Sequence, residues 1–154
     1  MRRVQGALLC AALTITSIAN AGDNVYDANC ALCHQVRGAG LSGQFPRLAG
    51  RIDVIAAAPA GQNYLIAVVL HGMAGRIVVD GAPIVGVMPG FPAMSDADVA
   101  AVLNHVAGLG DGKGKRPPRI SARAVAAVRS SGALSATEVL TRRTELVSQG
   151  VVPP

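Results

Sequence analysis

The sequence predicts a predominantly helical chain, all-α apart from one small β-hairpin. Two observations carry that reading. Apolar residues recur at helical spacing in segments bounded by serine caps and terminal glycines, such as Ser95 before Val99, Val102, Leu103 and Val106, with Gly108 beyond. Only one place carries a strand-pair signal, the Asp80-Gly81 step between Arg76–Val79 and Ala82–Val85.

The elements follow in order. Asp23 to Leu32 reads as a first helix, with Tyr26 four residues before Cys30 on the same face. A glycine-rich loop, Gly38 to Gly43, comes next, then Phe45-Pro46-Arg47-Leu48-Ala49-Gly50. Gln62 to Leu70 is a second helix ended by Gly72. The hairpin follows, its second arm kept short or at an edge by Pro83. Val87 to Ala93 is rich in proline and glycine and reads as a loop. Ser95 caps a third helix whose first turn carries Asp96 and Asp98, which complement the helix dipole. Asp111 to Pro118 is a linker, and two short amphipathic helices are expected near Ser121–Val128 and Ser135–Ser148. In the latter, Ser135 and Glu138 have capping-box spacing.

One stretch carries chemistry: Cys30-Ala31-Leu32-Cys33-His34. Two thiols at this spacing, followed at once by histidine, form the c-type haem attachment signature. The thiols can bond the two vinyl groups on one edge of a haem, and the histidine can supply a nitrogen to the iron. The rival readings need partners that are missing. A zinc site needs four close ligands, but Cys10 is the only other cysteine and His71 and His105 are single and far apart. A redox dithiol would follow a strand, and Ala21 to Asn29 shows no strand pattern. Aromatics are scarce (Tyr26, Phe45, Tyr64 and Phe91, with no tryptophan), so a flat apolar cofactor would supply missing core bulk.

A single histidine leaves the sixth iron position to Met73, Met88, Met94 or His71. Met94 lies just before the Ser95 cap, placed to staple against Val99. Met73 follows a helix-ending glycine and can simply cover the core. Met88, on a loop stiffened by Pro89, can hold a thioether against the iron and is the preferred candidate.

From Tyr26 to Val106 the chain resembles a class I monohaem cytochrome c, of the kind serving as a cytochrome subunit of periplasmic dehydrogenases. The residues that carry the resemblance are Tyr26, Cys30 to His34, Phe45 to Gly50, Leu70-His71-Gly72, Asp80-Gly81, Met88-Pro89, and Ser95-Asp96 with the helix through Leu103. The resemblance implies an all-α cytochrome c fold around one covalently bound haem, with a small β-hairpin and an extra helical C-terminal tail. It implies one haem c held by Cys30 and Cys33, with His34 and Met88 as the axial ligands of the iron. It further implies that Pro46 offers its carbonyl to the free ring nitrogen of His34, and that Arg51 or Tyr64 reaches a propionate. Where the family's last helix usually has an aromatic, this chain has His105, expected to pack near Tyr26.

The implied function is one-electron transport, not catalysis. The partners expected are redox proteins, a dehydrogenase donor and a cytochrome or oxidase acceptor. The alternatives are a haem subunit of a dehydrogenase complex oxidising sulfite, alcohol or sugar, and an open-site haem enzyme or sensor.

Three domains are expected. Residues 1–21 read as a signal peptide: Arg2 and Arg3, an apolar run from Gly6 to Ile18, and the small-x-small site Ala19-Asn20-Ala21. That places the mature protein in the periplasm, with no stable membrane insertion expected after cleavage. Residues 22–110 are the cytochrome c domain, and 111–154 a basic linker and helical extension. Between Gly22 and Asp111 four basic residues face seven aspartates, whereas Gly112 to Pro154 holds eight basic residues and two glutamates. The basic balance thus belongs to the tail. Without stacking aromatics or a recognition motif it does not suggest nucleic-acid binding. The tail either docks on a redox partner or packs on its own acidic domain.

Overall fold

The computed structural model describes residues 19–110 and 116–154. The expected leader, apart from its cleavage site, and the centre of the basic linker lie outside the described residues.

The first helix, α1, spans Ala19–Asn29 and breaks at Cys30, where a short α2 (Ala31–His34) begins. The single helix expected to run into the attachment motif is therefore two. At Cys30 the backbone leaves helical geometry, with φ −120°. The break lets α2 turn its histidine inward independently of α1. A 3₁₀ turn, Val36–Gly38, leads into the glycine-rich loop. A short α3 (Ile52–Ala56), not expected from the sequence, precedes α4 (Pro59–His71). α4 starts with proline in its first turn, where a missing N–H costs nothing.

The hairpin is longer than expected. β1 (Met73–Val79) pairs antiparallel with β2 (Ala82–Met88), with Met73 opposite Met88 and Val79 opposite Ala82. Asp80 and Gly81 form the two-residue turn, both at positive φ (52° and 80°), as a type I′ turn requires. Met88 therefore ends a strand and does not sit on a loop; the ladder to Met73 now fixes its position. α5 (Asp96–Ala107) begins where expected, with the Ser95 hydroxyl accepting from the Asp98 N–H at 3.1 Å.

α1 crosses α5, and α3 and α4 close the other side of α5. Tyr26, Ile52, Ile55, Tyr64, Leu65, Leu70, Val99, Val102, Leu103 and Val106 form the shared core. At the crossing, the Tyr26 and His105 rings meet at 5.5 Å between centroids, as expected. His105 Nε2 also lies 3.6 Å from an Asp23 carboxylate oxygen.

The extension joins this core. α6 (Ala122–Ser130) packs on α5 and α4, and α7 (Ala136–Ser148) packs on α4 and β1. Ile120, Val125, Val139, Leu146 and Val152 belong to the same apolar cluster as α4 and α5. Polar contacts fix the docking. The Asn104 amide donates to Ile120 O and accepts from Ile120 N, and Arg129 pairs with Asp96 at 2.8 Å. α7 comes so close to β1 that a Cβ on Gly75 would stand 2.5 Å from Leu140 Cδ2. The tail packs against its own domain, chiefly through apolar side chains and not on an acidic surface. Four of its arginines, Arg116, Arg119, Arg123 and Arg142, remain exposed.

Candidate functional site

The attachment motif sits at the mouth of a cleft between the helical core and the hairpin. Its inner lobe is lined by Cys30, His34, Tyr64, Leu65, Val68 and Val102. Its outer lobe includes Cys33, Phe45, Ile84, Val85 and Val87, and both lobes share His34, Pro46, Met73, Ile77 and Met88. The inner lobe opens to solvent at its mouth. Its lining surface is mostly apolar, apart from His34, Tyr64 and three arginines, which lowers the local dielectric.

His34 is 8% exposed, and its Nδ1 lies 2.9 Å from the Pro46 carbonyl oxygen. A carbonyl can only accept, so Nδ1 carries the proton. Burial lowers the ring's pKa, which favours the neutral form. In a neutral ring with its proton on Nδ1, Nε2 keeps a lone pair for a metal. The loop that delivers Pro46 is held by its own backbone. Gly40 N–H donates to His34 O at 2.8 Å, and Leu48 N–H to Gly38 O at 2.8 Å. Gly40 has φ +68°, and a Cβ there would stand 2.5 Å from Arg47 N, so the loop can close on the motif only with glycine. The Tyr26 hydroxyl donates to Gln35 O at 2.6 Å, fixing the chain just after the motif.

Cys30 and Cys33 are both partly buried and not joined to each other. Burial first, and then the Cys33 charge, push the Cys30 thiol up. Nothing at Cys30 activates it as a redox dithiol would require. Among the described residues no group of three or more His, Cys, Asp or Glu side chains could hold a metal ion, so a zinc reading gains no partner.

Of the four candidate sixth ligands, Met73 and Met88 line the cleft. Met94 instead lines a separate surface pocket with Val25, Asn29 and Phe91, and His71 is not among the lining residues of either lobe. The Tyr64 hydroxyl lies 3.6 Å from the Met73 sulfur and engages it. Tyr64 and Arg51, the expected propionate contacts, both line the inner lobe.

Three arginines stand at one wall, and two of them the sequence reading does not single out. Arg47 and Arg51 each reach Asp80 of the hairpin turn at 2.9 Å. Arg143, from α7, lines the same lobe and donates to Val78 O at 2.9 Å. A signal for it exists. Val139, Arg143 and Leu146 are all buried on α7, so Arg143 occupies a core-facing position where an apolar residue is the norm.

A haem fits this donor set: two thiols at attachment spacing, an imidazole with its coordinating nitrogen free, two thioethers, aliphatic walls and cations at one side. The cytochrome c family model matches residues 19–110. The chain is 47% identical over 93 residues to a cytochrome c-552 of Thermus thermophilus, covering 60% of this chain and 70% of that protein. It is 36% identical over 118 residues to the cytochrome c subunit of a quinone alcohol dehydrogenase of Gluconobacter oxydans. That match covers 74% of this chain but 23% of the subunit. The chain belongs to the cytochrome c family, and its cofactor is a covalently bound c-type haem, for which Cys30 and Cys33 stand at the attachment spacing.

Proposed function

We propose that the chain is a periplasmic one-electron carrier whose haem iron is held between His34 and Met88. The observation that carries this reading is the fixed imidazole: Pro46 orients His34 from a loop tied to the attachment motif, while Met88 stands in the same cleft on the end of a paired strand. Met73 is the less favoured thioether because the Tyr64 hydroxyl already engages it.

When bound, the haem supplies a ferric–ferrous couple, and a methionine ligand favours the ferrous state relative to a second histidine. The protein's part is positional. Cys30 and Cys33 tether one edge. His34 offers Nε2 while Pro46 holds its other nitrogen. Met88 is kept in place by the ladder to Met73, so the ligand set stays put as the charge changes. Leu65, Val68 and Val102 exclude water from the inner side. Cys33, Val85 and Val87 line the outer lobe, where the two valines are about three-quarters exposed, so electrons have a short apolar route to a partner.

The partners proposed are a dehydrogenase donor and a respiratory acceptor, and the leader-like N-terminus supports export. A second reading, a haem subunit within a dehydrogenase complex, is favoured by the likeness to the alcohol dehydrogenase cytochrome subunit.

The test is the weak near-infrared sulfur-to-iron band of the oxidised protein. The wild type should show it, Met73→Ala should keep it, and Met88→Ala should lose it. Its absence from the wild type would favour an open-site haem enzyme or sensor. Its loss in Met73→Ala alone would move the ligand to Met73.

A further inference from the structure

We infer that Arg143, on the C-terminal helix α7, holds a haem propionate, so that the extension completes the cofactor site. Arg143 is 6% exposed and lines the inner lobe of the cleft beside Arg51 and Tyr64. Its one described hydrogen bond to a main-chain acceptor goes to Val78 O. A buried guanidinium without a counter-charge is strongly disfavoured, and no carboxylate among the described side chains pairs with it. Around it the balance is worse. Arg47, Arg51 and Arg143 stand at the same lobe, and among the described residues Asp80 is the one side-chain carboxylate they meet directly. Asp53 acts on Arg47 only as a more distant charge.

Among the described side chains, three guanidiniums thus stand against one directly paired carboxylate at this wall. A haem brings two carboxylates. A planar guanidinium matches a carboxylate in two-pronged geometry. Supporting this, Arg51 is pulled below its ordinary pKa by burial first, with the Arg143 and Arg47 charges adding to the effect despite Asp80. The same extension reaches the cluster a second time. Arg51 donates to Pro153 O at 2.7 Å and Pro154 O at 3.2 Å.

The consequence extends beyond packing. The match to the family model ends at residue 110, and Arg143 comes from the helix that follows. A cation there sits against the cofactor's charged edge, opposes the extra positive charge of the ferric state and raises the potential. The extension then tunes the haem as well as covering it.

The inference rests on haem occupying the cleft, and one set of measurements separates the two. Full-length, haem-loaded wild type is compared with Arg143→Gln, Arg143→Lys and Arg142→Gln, the last removing an equal charge from the exposed neighbouring position. The readouts are the midpoint potential by spectroelectrochemistry and the propionate-bending band in resonance Raman. Arg143→Gln should shift the ferric–ferrous equilibrium toward ferric by about tenfold, or 59 mV for one electron, and should move the propionate band. Arg142→Gln should do neither. Arg143→Lys should keep most of the potential but still move the band, because a point charge replaces the fork; it serves as the test if Arg143→Gln does not fold. An Arg143→Gln potential no lower than that of Arg142→Gln, or a propionate band unchanged in both Arg143 variants, overturns the assignment. A wild type with no haem absorption overturns the occupancy itself.

Discussion

Asp80 shows how a single turn residue can organise a site. The type I′ geometry calls for residues that tolerate positive φ, and Asp-Gly satisfies it. The same choice places a carboxylate where Arg47 and Arg51 converge. The Arg47 hydrogen bond, followed by the charges of Arg47 and Arg51, holds the Asp80 carboxyl below its ordinary value of 3.8. A carboxylate whose folded pKa is lowered adds stability above its unfolded pKa and loses it as pH falls through the folded value. Asp80→Asn should therefore cost up to about 1 kcal/mol near neutral pH, discounted for a half-exposed pair, and nothing once the acid has protonated the carboxyl. Urea unfolding of both proteins from neutral to acidic pH checks this. A gap between them that persists at the acid end would show that Asp80 acts through the turn's shape and not its charge.

Residue by residue, the site was unevenly legible. Cys30, Cys33 and His34 are legible because covalent attachment demands a fixed local spacing. The His34–Pro46 bond follows from the resemblance and is present at 2.9 Å. Arg143 was not singled out: its core-facing position on α7 is the one local mark it carries, and its contact with Val78, 65 positions away, arises only because the three-dimensional packing brings α7 to the hairpin.

At the scale of elements, helices with serine caps were read with their starts, whereas the uncapped α4 was read three residues late and the uncapped α3 was missed. α5 and α7 start on serines whose hydroxyls accept from the third residue on, and α7 has the full capping box, with Glu138 accepting from Ser135 N–H at 2.7 Å. α3 is five residues long, and Arg51 before it makes no side-chain cap, so no local signal announces it. Met88 was assigned to a loop because Pro89 and Gly90 follow at once, but the ladder runs up to the residue before the proline. The same cap logic predicts that Ser95→Ala costs about 1 kcal/mol in denaturant unfolding and leaves the haem spectrum unchanged, since α5 contacts the cleft with its buried face (Val102, Leu103, Val106) and not its N-terminus. A cost near zero would mean that Asp96 and Asp98 suffice to start the helix.

The whole molecule is a haem-binding core closed by its own tail. The basic surplus of the sequence's last third is partly turned inward: Arg143 is buried and Arg129 binds Asp96 and the carbonyls of Pro92 and Met94. Among the described residues no helix is long and apolar enough to cross a membrane. Truncation after Gly110 would expose the core facing Ile120, Val125, Val139, Leu146 and Val152. Each such side chain is worth about 1.5–3 kcal/mol when fully buried, against a total of roughly 5–15 kcal/mol for a domain. The truncated chain should therefore unfold at least about 10 °C lower. An unchanged melting temperature would show the extension to be an appendage.

The central claim is that the cleft carries one electron at a haem whose two axial ligands both come from the protein. A spectroelectrochemical titration of the full-length protein tests it most directly. The account predicts a single Nernstian transition, 59 mV per tenfold change in the ferric–ferrous ratio for one electron, with a six-coordinate low-spin haem in both states and no binding of carbon monoxide on mixing with the reduced form. A high-spin reduced haem that takes up carbon monoxide at once would contradict it and identify an open site.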